Sequence, residues 1–265
     1  MPATTAHLPG TFCWPELAAK DIQAAIKFYR ALFGWDLIEH PMGPGMTYYV
    51  FTKGGHQVGA AFQLDETMMP GVPPHWGTYL SVTDADAAAT QTKALGGQVL
   101  MGPHEVKVEG REHGRMYMLK DSVGAVFGVW QARQHAGVGL MNEPGSLAWT
   151  QLNATDTDGA KKFYTQLCGW KVQDDPNPMG GVYTTWLKAD GPAGGMMEMP
   201  KGAPIPSHWL CYFATENVDR SHAAAMKAGA QGHVPPTDIP GMGRFSVLAD
   251  PQGAFFALVT FEAAR

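Results

Sequence analysis

A stretch near the N-terminus returns later in the chain, and this limits the fold more than any other feature. Gly10–Leu37 and Gly145–Val172 share Trp14/Trp149, Asp21/Asp156, Tyr29/Tyr164, Gly34/Gly169 and Trp35/Trp170, and the offset 145 − 10 = 135 holds at every pair. A period this long marks duplicated domains, because solenoid repeats run to only about 20–50 residues. A chain of 265 residues has room for two domains of ordinary size. The second half of each copy also repeats, with a shrinking offset: His75-Trp76 against His208-Trp209, Gly114-Arg115 against Gly243-Arg244, and Asp121–Gly124 against Asp250–Gly253. Strand cores are kept while surface loops shorten, as duplicated domains are expected to behave. The boundaries follow: domain 1 over 10–131, a linker over 132–144 and domain 2 over 145–262.

Within each domain the same unit is predicted twice. Phe12–Ala18 reads as a strand, and Asp21 can cap a helix through the free amides of its first turn. Ile22, Ile26, Tyr29 and Phe33 follow at helical spacing, and Gly34 supplies the left-handed stop. Three strands around 35–40, 46–51 and 58–64 complete a β-α-β-β-β unit. A second such unit runs from Trp76, with Asp84 or Asp86 as cap and Gly96-Gly97 as stop. The 32 glycines and 20 prolines fall at the turns between these short strands.

Charge and composition exclude several partners. With 24 acids against 19 bases the net charge is −5, and no basic run offers a footprint for nucleic acid or an anionic membrane. No apolar run is long enough for a membrane span, and Met1–Pro9 has no apolar signal core. Cys13, Cys168 and Cys211 show no C-x-x-C spacing, which points to reduced thiols and a cytoplasmic location. There is no phosphate-binding glycine loop and no serine nucleophile elbow.

Strand alternation gives the face each side chain takes. Phe12, Trp14, Glu16 and Ala18 are expected to share one face, with Leu147, Trp149, Gln151 and Asn153 as their counterparts. His75, Gly77, Tyr79 and Ser81 share it on the paired strand, as do His208, Leu210, Tyr212 and Ala214. Trp76 and Trp209 then point into the helix layer.

F-Y-x-x-x-x-G-W after the first helix and G-R-x-x-x-L-x-D-x-x-G-A near each domain's end, both found twice, resemble the vicinal oxygen chelate superfamily. That group holds glyoxalase I, bleomycin and fosfomycin resistance proteins and extradiol dioxygenases. The resemblance implies an α+β fold of two tandem glyoxalase-like domains. In each, two βαβββ units form a cupped eight-stranded sheet around a ligand cavity, with helices outside. It also implies a pseudo-dimer within one chain, which would be a monomer or a homodimer in solution. Metal-dependent members carry a divalent ion on the concave face. Counted from the family pattern, their ligand positions fall here on Trp14, Gly77 and Gly128, and on Trp149, Leu210 and Ala257. None of these side chains ligates metal.

The candidate site residues therefore come from the cup. Trp14, Tyr79, Trp149 and Tyr212 are either core filler or walls for a flat apolar ligand. Glu16, matched by Gln151, is either a solvated rim carboxylate or a functional acid/base group in domain 1 alone. His75 and His208 are rim histidines, general bases, hydrogen-bonding partners or shifted metal ligands. A metal site would need groups such as Glu16, His75, Gln63 and Glu198 to converge. Arg115 and Arg244 either brace loops or bind an anion. Gly77 leaves space that Leu210 fills in domain 2.

The function expected is binding of a small organic molecule without cofactor, by sequestration or by metal-free acid/base chemistry with Glu16 and His75 as catalytic groups. The alternatives are a metal-dependent lyase or isomerase of the glyoxalase I type, and a degenerate structural or regulatory partner.

Overall fold

The computed structural model describes residues 6–43 and 45–262. Most of the N-terminal segment read above for a signal core, residues 1–5, lies outside them. Domain 1 runs β1 (Phe12–Ala19), α1 (Ile22–Phe33), β2 (Asp36–Gly43), β3 (Met46–Lys53), β4 (His56–Gln63), β5 (His75–Ser81), α2 (Ala85–Ala94), β6 (Gln98–Val108), β7 (Arg111–Lys120) and β8 (Val126–Ala132). Domain 2 repeats the order as β9 (Leu147–Ala154), α3 (Thr157–Cys168), β10 (Lys171–Pro176), β11 (Val182–Lys188), β12 (Gly191–Glu198), β13 (His208–Ala214), α4 (Val218–Lys227), β14 (Gln231–Ile239), β15 (Gly243–Ala249) and β16 (Phe255–Phe261).

Each domain is one eight-stranded sheet, β2-β3-β4-β1-β5-β8-β7-β6 and β10-β11-β12-β9-β13-β16-β15-β14. The two units of a domain meet where β1 runs antiparallel to β5 and β9 to β13. The helices cap as read from sequence: the Asp21 carboxylate accepts from the Ala24 amide, and Gly34 closes α1 at φ 68°. That left-handed geometry is what glycine tolerates without cost.

The convex side of the sheets holds the main core, and the repeated motifs explain why. Tyr29 and Trp35 of the first F-Y-x-x-x-x-G-W reach into the other domain. The Tyr29 hydroxyl donates to Asp250 Oδ2 at 3.0 Å and accepts from Trp76 Nε1 at 2.9 Å. Trp35 Nε1 donates to the Gly145 carbonyl at 2.7 Å. Under exchange of domains each contact has its counterpart: Tyr164 to Asp121 at 2.8 Å, Trp209 to Tyr164 at 2.9 Å and Trp170 to the Gly10 carbonyl at 3.1 Å. Asp121 and Asp250 each turn their other oxygen to the backbone amides of their own D-x-x-G-A turn. The shared signature thus joins the domains through buried, reciprocally satisfied polar groups, the arrangement that makes such groups tolerable inside a core.

One register feature changes the alternation expected for β1. Phe12 pairs with Leu80 and Trp14 with Tyr79, so β1 holds one extra residue, a β-bulge at Cys13. The same bulge recurs at Ala148, where Leu147 pairs with Phe213 and Trp149 with Tyr212. A bulge reverses the alternation on its N-terminal side. Phe12 therefore leaves the cup and packs on Trp209 and Trp170 of the other domain, with ring centroids 4.5 and 5.9 Å away. Leu147 likewise joins the convex core. Trp14, Glu16 and their counterparts stay on the concave face.

Candidate functional site

The cup of domain 1 encloses a cavity of about 290 Å³. Its floor is an aromatic ladder ending on one carboxylate. Trp14 Nε1 donates to the Tyr48 hydroxyl at 2.9 Å, Tyr48 donates to Glu16 Oε1 at 2.5 Å, and Tyr79 donates to Glu16 Oε2 at 2.9 Å. The strand pairings place these groups together: Trp14 and Glu16 on β1, Tyr79 opposite Trp14 on β5, and Tyr48 on β3. Burial pushes the Glu16 carboxyl up, against the two phenolic hydrogen bonds that pull it down. Burial, with the nearby carboxylate, holds Tyr48 and Tyr79 firmly protonated, so both remain donors.

The linker supplies another wall. The Val138 amide donates to the Cys13 carbonyl at 2.8 Å and the Gly139 amide to the Gln57 carbonyl at 2.8 Å, and Val138 is fully buried against Trp14, Tyr79 and Trp130. Gly137 sits at φ 120° where a Cβ would lie 2.5 Å from the Cys13 carbonyl, so the strap requires glycine there. The His135 ring packs edge-on to Trp14 at 4.7 Å and hydrogen-bonds Gln57 Oε1 at 2.6 Å through Nε2. Burial lowers its pKa to about 4, and His113, stacked on it at 5.8 Å, is lowered as well. Both rings are neutral near pH 7. Met42, Met101 and Met116 line the cavity's apolar side.

The cup of domain 2 repeats the two aromatic pairs, without a bond that joins Tyr183 to Gln151 among the described residues, and carries a bulkier apolar lining. Trp149 Nε1 donates to the Tyr183 hydroxyl at 2.8 Å, and Tyr212 donates to Gln151 Oε1 at 3.1 Å. Leu210, Tyr212, Phe245, Val247 and Val259 form a buried cluster there, with Trp149 and Val234 against it. Gln151 passes its amide to Asn153, and Asn153 donates to His208 Nε2 at 3.1 Å.

Several candidate residues lie elsewhere. His75 sits at the end of β5 with Nδ1 on the Pro73 carbonyl at 2.8 Å, outside the cavity lining. His208 holds the Pro206 carbonyl in the same way. The structure thus does not bring Glu16 and His75 together as a carboxylate–imidazole pair; the imidazoles that line the cup are His40, His104, His113 and His135. Gln63 closes the turn after β1, accepting from the Ile22 amide and donating to the Lys20 carbonyl. Glu198, its counterpart, is exposed at the end of β12. Arg115 on β7 ties α2 to β6 instead of bracing a loop, bonding Asp86 at 2.8 Å and also Glu105. Arg244 does the same with Asp219 and Asp238. Tyr48 was missed by sequence reasoning, although Trp14–Tyr48 and Trp149–Tyr183 repeat at the 135-residue offset. His135 and Val138 carried no such signal, being in a segment read as linker.

The Glyoxalase/Bleomycin resistance protein/Dioxygenase superfamily matches residues 11–129 and again 146–258. The chain belongs to this superfamily. A relative of this chain is CFP32 of Mycobacterium tuberculosis (strain CDC 1551 / Oshkosh), whose name gives a glyoxylase assignment as provisional; it is 38% identical over 98% of each chain. The anthracycline biosynthesis protein DnrV of Streptomyces peucetius is 30% identical, over 96% of this chain and 94% of its own. Among solved structures, the Mn(II)-bound glyoxalase from Novosphingobium aromaticivorans superposes with a TM-score of 0.66 at 17% identity, covering 95% of this chain and 82% of that one. The 2,3-dioxygenase LapB from Pseudomonas sp. KL28 gives 0.65 at 14%, covering 96% and 93%. At these identities the two structures share the fold.

The superfamily's divalent ion does not fit the donor set of this cup. Trp14 gives its only polar atom to Tyr48, Gly77 has no side chain, and a Cβ on Gly128 would lie 2.2 Å from the Tyr79 ring. Tyr79, which occupies the third ligand position's space, is the residue that holds Glu16. Among the described residues no three or more His, Cys, Asp or Glu side chains come together as a metal site.

Proposed function

We propose that the domain 1 cup binds a small, flat, largely apolar organic molecule without metal, with Glu16 as its polar anchor and domain 2 as a supporting copy. The observation that carries this is the Trp14–Tyr48–Glu16–Tyr79 ladder at the floor of a cavity whose domain 2 counterpart is packed with Leu210, Phe245 and Val247. Aromatic walls with a few convergent polar atoms are the usual make-up of small-molecule sites. The relative named for anthracycline biosynthesis supports a fused-ring ligand. Sequestration or chemistry in which Glu16 moves a proton both fit a carboxyl whose pKa is raised. No helix among the described residues is long and apolar enough to cross a membrane. Three free cysteines suit a cytoplasmic setting.

The experiment is fluorescence quenching of chelator-treated protein by an anthraquinone probe, repeated with Trp14→Ala, Tyr79→Phe and, in domain 2, Tyr212→Phe. Saturable quenching that weakens with the first two variants and not the third supports the reading. Binding that needs added Mn, Fe, Ni or Zn, or that falls only with Tyr212→Phe, defeats it.

A further inference from the structure

We infer that the molecule the domain 1 cup selects is an organic cation, a flat apolar body carrying a protonated amine, with Glu16 as its counter-ion. This deepens the reading of the cup as a small-molecule site and rests on it.

Charge in and around the cavity is one-sided. Glu16 is the sole carboxylate among the described lining residues, and no Lys or Arg is among them. Glu16 forms no ion pair within the described residues, whereas Lys107, Arg115 and Arg133 are engaged with carboxylates that do not line the cavity. Lys107 pairs with Glu112, Arg133 with Glu105 and Glu112, and Arg115 with Asp86 and Glu105. Of the four lining imidazoles, His113 and His135 contribute no positive charge near pH 7, since burial lowers the pKa of both. A carboxylate taken out of water without a counter-charge is costly, and a cation entering the cavity offsets that cost.

The hydrogen-bond geometry leaves room for the cation. Each Glu16 oxygen accepts one phenolic proton, from Tyr48 on one side and Tyr79 on the other. A carboxylate has about four acceptor directions, so an ammonium group still finds free lone pairs. The side chain is half-buried, open to the cavity and closed to the core. Trp14, Tyr48, Tyr79 and Trp130 line the same cavity, and aromatic rings of this kind attract a cation that lies over them. An anionic ligand would meet the Glu16 charge with no Lys or Arg among the described lining residues to balance it. Domain 2 carries neutral Gln151 in the same place, again accepting from the paired tyrosine, so the charge is peculiar to the open cup and a glutamine is compatible with this strand.

Three probes of one shape test this: 1-naphthylmethylamine, 1-naphthalenemethanol and 1-naphthoic acid, titrated by calorimetry at pH 7.5 in low salt. The amine is expected to bind about tenfold or more tighter than the alcohol, since charge-assisted bonds are roughly twice as strong as neutral ones, and the acid weakest of the three. In Glu16→Gln the amine should fall to the level of the alcohol. Alcohol and amine of equal affinity, or an amine preference that survives Glu16→Gln, would overturn the cation assignment while leaving the cup as a small-molecule site. Failure of all three to bind, or binding untouched by Trp14→Ala, would overturn the cup reading and this inference with it.

Discussion

Removing a single oxygen from Tyr29 tests whether the repeated signature is a device for joining the domains. The side chain is fully buried, and its hydroxyl serves two partners, Asp250 Oδ2 and Trp76 Nε1. Tyr29→Phe keeps the ring contacts with Trp35, Trp76 and Phe256 but leaves two buried polar groups without a partner. Each orphaned group costs about 1–3 kcal/mol, so the sum is about 2–6 kcal/mol. For a chain of this size a kilocalorie shifts Tm by about 2–4 °C, which gives a drop of roughly 4–24 °C. The effect should grow with pH. Burial already pushes the Asp250 carboxyl up, and losing the phenol's hydrogen bond pushes it further. An acid whose folded pKa lies above its unfolded value loses stability as pH rises through that interval. Scanning calorimetry at pH 5 and pH 8 should therefore show a larger deficit at pH 8. By reciprocity Tyr164→Phe, which strands Asp121 and Trp209, should behave alike. A Tm change below about 1 °C in both variants, or a strong effect in one alone, would refute the clasp.

Other outcomes follow from the cup. Glu16→Gln removes a half-buried carboxyl whose pKa is raised by its removal from water, so its Tm should meet or exceed the parent's at pH 8 and the difference should vanish toward pH 4, where the parent is protonated too. Gly128→Ala drives a methyl into the Tyr79 ring, 2.2 Å from Cδ1. It should cost about 1–3 kcal/mol in denaturant melts, the usual range for overpacking. Gly77→Leu places in domain 1 the side chain that Leu210 contributes to the packed cluster of domain 2. The nearest atom to a Cβ at residue 77 is the Glu16 carbonyl at 3.7 Å, so the strand accepts it. Ligand affinity read by calorimetry should fall about 5- to 150-fold from the same overpacking cost, and Leu210→Gly should leave it within about twofold.

Much of this molecule was legible in its residues, and the failures have physical causes. The duplication, the caps at Asp21 and Gly34 and the strand order come from local chemistry and pattern, and the sheets follow them. The inward or outward sense of Trp14, Glu16, Gly77 and Tyr79 also follows from alternation, because the strand is regular between the bulge and Ala19. Phe12 and Leu147 depart from it because a one-residue bulge has no local signature in these apolar runs. His75 looked functional because it is duplicated. Its ring instead closes a turn on the Pro73 carbonyl, a role that duplicates equally well. His135 and Val138 escaped because linker residues become a wall only through tertiary folding, when their amides find Cys13 and Gln57 carbonyls on strands far away in sequence. The reach of Tyr29 to Asp250, 221 residues away, is likewise invisible locally.

The central claim is that the ligand enters the domain 1 cup, without metal, while the domain 2 cup stays filled. Methyl NMR of ¹³C-methionine-labelled, chelator-treated protein tests it most directly, because Met42, Met101 and Met116 line the domain 1 cavity whereas Met197, paired with Tyr183 and Asn153, stands on the concave face of domain 2. Titration with 1-naphthylmethylamine should move the first three resonances and leave that of Met197 in place. A shift confined to Met197, or shifts of the domain 1 methionines that appear only after a divalent metal is added, would contradict the account.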